Sequence, residues 1–423
     1  MTRRYTIEEQ SELEDLRRRQ DEFAGISPEI MSMSLDELRE AQDRIAANWG
    51  KGGRQYRAAD LKQAVRDGLR AGFKLANHNE HPLVADMRKS DGTIDLIAAA
   101  ALAIEARTGQ RPEIHGDGFN ILAQGLTTAD FPDLMRQAMT AFVRSRPSDD
   151  LALLQAVARR IDVQSYHPIT HAFAGFEALP QPDAHTSKYY NILKPRFAAE
   201  PVQVHTSSDM LLLSRQAATD GEAFGVLEAL ASGYVTQALG TQVGMLAALL
   251  ESNQELSDGS AWFLPDVNTV QVSPSLTEVD LAAMMRMLRE QSRILRAQAD
   301  PGGNVLDARL AALLVPANFE VLALQLVETL PRERRPVVYA SARLSGDYVF
   351  AFADPAQHPS VARVLMQGAP DTGVNFGSLR SAEVWDAAQQ RDVSFPGFGL
   401  DVSHSVAFSP LSRSGIVRGT FSE

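Results

Sequence analysis

The apolar and polar positions of the chain are most regularly spaced between Asp220 and Ser252. Apolar residues recur there at steps of three and four, interrupted only by Gln242, which is the spacing of an amphipathic helix. Asp220 supplies an N-cap oxygen and Glu222 adds negative charge to the first turn. We therefore predict a long helix over residues 220–252, called the spine helix. The residues predicted to pack along it are Phe224, Leu227, Ala231, Tyr234, Ala238, Gly240, Gly244, Met245 and Leu249.

Four glycines, Gly225, Gly233, Gly240 and Gly244, each weaken this helix by up to about 1 kcal/mol relative to alanine. We expect neighbouring segments to pack closely against them, so that a bulky residue at Gly240 destabilises the subunit. Gly240 and Gly244 have the GxxxG spacing found in membrane helices. Polar residues interrupt the apolar run, however, and no apolar segment of 18 residues exists. The pattern therefore predicts the central helix of a soluble protein.

The patterns on either side of the spine helix mix helices with strands. Residues 6–90 show charged helices with thin apolar stripes, which indicate a scaffold-like segment or, alternatively, a small helical bundle. Residues 161–215 predict a long β-hairpin with its tip near 180–191, and a disordered loop is the alternative. A short hairpin is expected at 262–272, strands at 310–315, 337–342, 348–353, 361–366, 400–408 and 416–420, and helices at 317–329 and 382–390. Because no regular βαβ alternation appears, the predicted class is α+β.

Composition and charge narrow the classes of protein. The 423 residues include no cysteine, which excludes disulfides, thiolate metal sites and cysteine nucleophiles. The net charge is −12, and no basic run of the kind that gathers nucleic acid by charge is visible in the sequence. The basic first residues lead into a glutamate-rich segment rather than an apolar one, so we expect no signal peptide, synthesis in the bacterial cytoplasm and no membrane partner.

Candidate catalytic and metal-binding residues are few, and no nucleophile elbow, zinc-protease or dinucleotide-binding motif is present. Adjacent serine and histidine residues on a strand point to opposite faces, which arranges them poorly for proton transfer. Pro168 lies inside the one tight histidine pair, and no carboxylate motif adjoins it. We therefore predict no catalytic, metal or cofactor residue. The weighed candidates are His205 with Ser207 and Ser208, Ser403 with His404, Asp347 with Asp354, and His167 with His171.

Several stretches together resemble one family. Gly125–Met139, GLTTADFPDLMRQAM, looks like the opening motif of Mu-like phage major head subunits, including those fused to a prohead protease. Asp209–Phe224, DMLLLSRQAATDGEAF, is similar to the family's strand leading into its spine helix, and Leu249–Thr269 to the hairpin after it. Ala308–Val327 and Ser345–Pro355 resemble the next strand–helix unit and a strand ending in Asp-Pro. These stretches follow the family's order and cover about residues 90–423.

The resemblance implies the coat-protein fold of the Hong Kong 97 type. Residues 91–173 would form an N-terminal arm with helices, 174–206 the extended loop, 207–300 with 391–423 a peripheral domain, and 301–390 an axial domain. Residues 1–90 are too few for a protease and are expected to be a charged helical, scaffold-like segment. The loop reads PQPDAHTSKYY where the family often has a Gly- and Glu-rich loop. Its expected inter-subunit contacts are Pro180, Pro182, Lys188, Tyr189 and Tyr190.

The function implied by the resemblance is that of a major capsid protein, not an enzyme. Pentamers and hexamers of the chain would assemble into an icosahedral head around the double-stranded DNA of a tailed phage or prophage-derived particle, without sequence-specific DNA binding. The implied partners include portal, head-completion or decoration proteins. Two alternatives stay open: a cellular nanocompartment shell of the same fold that encloses cargo and, less favoured, a hydrolase or protease.

Overall fold

The structure, a computed structural model, describes residues 56–75, 80–89, 91–112, 118–127, 130–146, 148–176, 195–219, 223–265, 267–273, 280–300, 303–344, 347–386 and 391–421. The chain divides into two compact units, Met1–Asp60 and Leu61–Glu423. Of the first unit, the structure describes residues 56–60. The predicted helices before residue 56 and the predicted helix start at Asp220 therefore lie outside the described residues.

Helices precede the strands in the chain, and the first of them begins three residues before the second unit. They are α1 (Ala58–Gly72), a 3-10 turn (Pro82–Met87), α2 (Leu96–Thr108), α3 (Phe119–Leu126), α4 (Asp130–Arg144) and α5 (Asp149–Val157). Asp95 caps α2 by accepting a hydrogen bond from the amide of Ile97 at 2.9 Å. Gly109 ends α2 with φ +75°, a left-handed conformation that glycine adopts without strain. Five of the six alanines of α2 are buried, which allows α3 to pack closely against it.

Two five-stranded sheets follow. The first, called the β11 sheet, contains β1 (Arg159–Val163), β4 (His205–Ser214), β9 (Val361–Met366), β10 (Val374–Asp386) and β11 (Arg391–Pro410). β11 pairs antiparallel with β10, β4 and, through its last residues, β9. β1 joins the sheet in parallel with β9. The 20-residue β11 thus pairs directly with three strands of this sheet, and only β1 is joined to it through another strand, β9.

The second sheet, called the β8 sheet, contains β5 (Thr269–Val272), β6 (Leu310–Pro316), β7 (Val337–Ser341), β8 (Tyr348–Ala353) and β12 (Ile416–Phe421), in the order β5-β12-β8-β6-β7. The remaining strands, β2 (Ile169–Phe176) and β3 (Pro195–Val202), form a separate antiparallel hairpin. Along the chain, α8 (Leu281–Ala297) follows β5 and precedes β6, and α9 (Glu320–Glu328) follows β6 and precedes β7. The short α6 (Arg215–Thr219) and the long α7 (Ala223–Ser252) follow β4.

Alternating apolar residues give the β8 sheet a buried core on both faces. Phe350 and Phe352 of β8 pack with α5 and α7, whereas Val349 and Ala351 pack with α8 and α9. The period of two along a strand places successive side chains on opposite faces, so a strand buried on both faces reads as a continuous apolar run. The β8 sheet is therefore the middle layer between two helical layers.

Most predicted elements are present, and the mixed arrangement of helices and sheets confirms the α+β class. The spine helix is α7, which extends to Ser252 as predicted. The predicted helix at 382–390 is wrong, because residues up to Asp386 belong to β10. Pairing with β11, for example Val384 with Val393, overrides the local helical preference of this segment.

The predicted hairpin at 262–272 is also wrong. Its last residues form β5, which pairs in parallel with β12, and the single bridge between Thr269 and Pro265 is parallel rather than the antiparallel pairing of a hairpin. The segment before β5 is folded around Asn268, which accepts from the amide of Leu264 at 2.8 Å and donates to the carbonyl of Trp262 at 3.1 Å. These side-chain bonds replace the cross-strand bonds that a hairpin would make.

The two sheets do not follow the predicted peripheral and axial ranges. The β8 sheet combines β6, β7 and β8 from the range 301–390 with β5 and β12 from the other range. The β11 sheet likewise takes β9 and β10 from 301–390 and β4 and β11 from outside it. The division at residues 300 and 391 therefore stays a prediction that the strand pairing does not support.

Among the described residues, no helix is long and apolar enough to cross a membrane.

Candidate assembly elements

The β2–β3 hairpin is the first candidate for an assembly element. Its strands pair from Ile169 with Val202 to Phe176 with Pro195, which confirms a hairpin in the region predicted for the extended loop. The strands begin earlier and end earlier than the predicted range 174–206. The predicted contact residues of the tip, Pro180, Pro182, Lys188, Tyr189 and Tyr190, lie outside the described residues, so their inter-subunit role stays a prediction.

The base of the hairpin is fixed to the body by Glu200. One carboxylate oxygen of Glu200 accepts from the amide and the hydroxyl of Ser257, both at 2.8 Å, just after α7. Val202 and Val204 are buried in a cluster with Val163, Val364 and other residues of the β11 sheet. Sequence reasoning missed Glu200, whose isolated charge near the end of a strand was the available signal. The hairpin is thus held at its base by one buried carboxylate and two valines.

The N-terminal half of α7 packs on the preceding helices. The rings of Phe224 and Phe73 make an edge-on contact with centroids 5.2 Å apart, and Leu227 and Ala231 are buried. Tyr234 donates a hydrogen bond to Asp209 of β4 at 3.1 Å. Burial, followed by this bond to a carboxylate, raises the pKa of Tyr234 to about 12. Phe224, Leu227 and Tyr234 therefore lie where packing was predicted.

The C-terminal half of α7 uses a different face. Leu239, Val243, Leu246 and Leu250 are buried against the β8 sheet. At 3.6 residues per turn this stripe is rotated by about a quarter of a turn from that of the first half. Met245 consequently faces outward with 36% of its surface exposed, so its predicted packing within the subunit is wrong. The rotation follows from the change of neighbour, from helices to a sheet.

The four glycines of α7 do not share one role. A Cβ atom at Gly225 or Gly233 would meet nothing within 4 Å, so the expected close packing is wrong at both positions. At Gly240 a Cβ would lie 2.5 Å from Nη2 of Arg343, and at Gly244 it would lie 3.5 Å from Nη1 of the same residue. Arg343 is exposed, so the end of its side chain is able to move away. These glycines accommodate a side chain rather than a crossing strand.

A buried polar cluster, called the Gln242 junction, joins α7 to the β11 sheet. It consists of Gln242 of α7, Arg363 of β9, His404 of β11 and the carbonyl of Thr372. Arg363 Nε donates to Gln242 Oε1 at 2.8 Å, while Gln242 Nε2 lies 2.7 Å from the Thr372 carbonyl and 2.8 Å from His404 Nε2. The guanidinium of Arg363 also donates to the carbonyl of Asp371. The residue that interrupts the apolar stripe is therefore fully buried and hydrogen bonded.

The hydrogen bonds determine the protonation of His404. A guanidinium only donates, so Oε1 of Gln242 must face Arg363, and its amide nitrogen must face His404. His404 Nε2 then accepts, which requires the neutral ring. Burial, and next the charge of Arg363, lower the pKa of His404, in agreement with this assignment. Burial also lowers the pKa of Arg363 to about 10.

The Gln242 junction could have been suspected from the sequence. Gln242, Arg363 and His404 are each a polar residue inside an apolar helix or strand pattern. Such residues are buried at a cost unless they are hydrogen bonded, so each implies a partner. The sequence does not show that these three residues are one another's partners, because Gln242 lies 121 residues from Arg363 and 162 residues from His404.

The weighed catalytic candidates are not brought together as reacting pairs. His205, Ser207 and Ser208 are exposed on β4, and no hydrogen bond joins His205 to either serine among the described residues. Asp354 accepts from the amide of Ala356 at 2.9 Å, so its carboxylate ends β8 as a turn residue. Within the described ranges, no group of three His, Asp or Glu side chains is placed to hold a metal ion.

Comparisons with known proteins found similarity in shape but not in sequence. No family model matches the chain, and neither does any curated protein sequence. A phage-related protein from Bordetella bronchiseptica is 11% identical with a TM-score of 0.41, covering 67% of this chain and 96% of its own. The capsid of Myoviridae phage XM1 is 10% identical with a TM-score of 0.38, covering 64% and 91%. An encapsulin from Synechococcus elongatus is 9% identical with a TM-score of 0.36, covering 64% and 86%.

These matches agree with the predicted Hong Kong 97-type fold class. The sequence identities are far too low to transfer an activity, and the TM-scores lie below 0.5. They therefore carry no argument about what this chain assembles with or encloses.

Proposed function

We propose that this chain is the repeating subunit of a closed icosahedral shell, the major capsid protein of a tailed phage or a prophage-derived particle. In this proposal pentamers and hexamers of the chain enclose double-stranded DNA without reading its sequence. Portal and head-completion or decoration proteins would complete the head. Assembly in the bacterial cytoplasm and residence in the virion belong to the same proposal. Its sequence basis is the resemblance to Mu-like head subunits over residues 90–423.

The observation that carries the proposal is the unpaired β2–β3 hairpin. Each strand has eight residues, or about 26 Å at 3.3 Å per residue, and the two form a sheet of their own. A two-stranded hairpin is marginally stable in water unless another surface covers it. Its base is anchored through Glu200 and Val202. A second copy of the chain in a shell would supply a further surface for the hairpin to pack on.

Exposed apolar side chains on α9 support repeated contacts between copies. Val321 and Leu324 lie one turn apart and are 65% and 47% exposed. Single exposed apolar residues are common, but a pair on one helical face is a suitable contact surface. The net charge of −12 is compatible with a shell whose DNA is driven in by a motor, because such a shell does not need to attract DNA electrostatically.

Electron microscopy of the expressed full-length chain tests the proposal. We expect closed particles of uniform diameter, with DNA inside when they are isolated from a lysed host. Uniform particles that enclose one specific cargo protein and no DNA would favour the cargo-enclosing shell instead. A monodisperse monomer under every assembly condition would refute both shell functions.

The role of the hairpin tip has its own test. Deleting residues 180–192 is expected to leave a folded subunit with an unchanged circular dichroism spectrum and to prevent particle formation. The control replaces residues 180–192 with a Gly-Ser segment of equal length, which keeps the connection but removes the side chains of the tip. Normal particles from the deletion would show that the hairpin is not an assembly element.

A further inference from the structure

A cavity lined by arginine lies on the face of the β8 sheet that α8 and α9 cover. It has a volume of about 570 Å³ and lies between α8, the end of α9 and the turn Arg332–Arg334. The floor includes Leu288 and Leu326, which are almost fully buried. Its charged lining consists of Arg289, Arg296, Arg309, Arg334, Arg335 and a single carboxylate, Glu333.

The charge of this cavity is opposite to that of the chain. Five arginines and one glutamate give a local charge of +4, whereas the chain carries −12. The sequence shows no basic run because the arginines come from α8, from residue 309 and from the turn after α9. Folding brings these separate segments together. The absence of a basic run from the sequence therefore did not exclude a basic surface.

Most of these charges are not neutralised within the subunit. Among the described residues, the guanidinium groups of Arg289, Arg309 and Arg334 have no carboxylate within 4.0 Å and no hydrogen-bond partner. Arg296 is 3.8 Å from Asp307, which is itself largely exposed. The five arginines are exposed, so water and salt weaken their mutual repulsion, but like charges gathered at one cavity still repel one another. A bound anion would relieve this repulsion.

One arginine of the cavity is held in place in advance. Arg335 donates from Nε to the carbonyl of Leu330 at 2.8 Å and from Nη2 to the carbonyl of Glu328 at 2.7 Å. These bonds cap the end of α9 and fix the guanidinium at the rim of the cavity. A fixed guanidinium loses less entropy when it binds a ligand, and its planar donors match phosphate oxygens in pairs.

We propose that this cavity binds an anion of the phosphate class that carries several negative charges. A local charge of +4 in a small volume is best matched by linked phosphate groups, and all of its cationic side chains are arginines. The source is either a free polyphosphate or the phosphates of a nucleic acid. This site is separate from the hairpin and does not depend on the proposed shell function.

Calorimetric titration of the purified full-length chain with sodium tripolyphosphate, repeated at several fixed ionic strengths, tests the proposal. We expect saturable binding whose affinity falls as the ionic strength of the buffer increases. Changing Arg289→Gln together with Arg334→Gln should lower the affinity by about tenfold or more, because each removes charge-assisted hydrogen bonds. The matched control is Arg332→Gln, which removes a charge from the same turn without lining the cavity, and should change the affinity by about twofold or less.

A single-stranded DNA oligonucleotide in a second titration distinguishes the two sources. Binding of DNA but not of tripolyphosphate, with the same loss in the double variant, assigns the site to nucleic acid phosphates. The reverse result assigns it to a free polyphosphate. The proposal is overturned if neither anion binds, if a glutamate-rich peptide binds more tightly than both, or if Arg332→Gln weakens binding as much as the double variant. Particle formation by the double variant, seen by microscopy, reports on the shell function independently.

Discussion

The Gln242 junction makes a sharp prediction about subunit stability. Changing Gln242→Leu keeps the size of the side chain nearly constant and places an apolar group at a fully buried position. It also removes three hydrogen bonds at once, those with Arg363, His404 and the carbonyl of Thr372. If burial of apolar surface dominated, this substitution would stabilise the protein. If the lost hydrogen bonds dominate, the substitution will destabilise the folded protein.

The magnitudes favour destabilisation. Replacing a buried polar side chain with leucine gains about 1–2 kcal/mol of apolar transfer. Each buried partner left without a hydrogen bond costs about 1–3 kcal/mol, and more where the partner is charged. Arg363 is 2% exposed, so water does not replace its lost acceptor. Its remaining bond to the carbonyl of Asp371 satisfies only one part of the guanidinium. We therefore expect a net loss of about 3 kcal/mol in the free energy of unfolding.

Urea unfolding of the unassembled subunit provides the measurement, with tryptophan fluorescence as the signal because Trp262 is fully buried. The matched control is Gln237→Leu, an exposed position on the same helix, which should change the free energy of unfolding by less than about 0.5 kcal/mol. Equal stability of Gln242→Leu and the natural chain would refute the argument. It would show that Arg363 and His404 find other partners.

Three further predictions concern single residues. Because the folded-state pKa of His404 is lowered, its contribution to stability is present above the ordinary value of 6.5 and lost as the pH falls below it. His404→Gln should therefore flatten the fall in urea midpoint on acidification, and an unchanged pH profile would contradict this. Gly233→Ala should raise the free energy of unfolding by up to about 1 kcal/mol, since its Cβ has free space in a helix; a loss would reveal an unseen contact. Gly415→Ala should lower the free energy of unfolding, followed by thermal unfolding, by about 2 kcal/mol or more, since φ is +82° and a Cβ would overlap the carbonyl of His358; a neutral result would mean that this turn rearranges.

Local patterns in the sequence were sufficient for elements whose own residues determine their burial. The spine helix and the strand Tyr348–Ala353 were predicted with correct ends, apart from the helix start that lies outside the described residues. The helix has a long apolar pattern at a period of three to four residues, whereas the strand is a short continuous apolar run whose length and aromatic content favour a buried strand. The α+β class followed from the order of such elements along the chain.

Tertiary structure decided what each element contacts. Residues 382–386 form a strand because β11 lies beside them, although their sequence favours a helix. The buried face of α7 rotates because its neighbours change from helices to the β8 sheet, which leaves Met245 outside and Gln242 inside. A periodic pattern shows that a helix has an apolar face, but only the neighbours determine where that face points along its length.

The clusters that carry function depend most strongly on the fold. The Gln242 junction and the arginine cavity each join side chains from segments that are distant in the sequence. The sequence by itself determined that polar residues occur within apolar runs and that the chain as a whole is acidic. Only the fold determined that those polar residues satisfy one another and that several arginines share one cavity. The physical reason is that hydrogen bonds and charge interactions act over a few ångströms, a distance that sequence separation does not reveal.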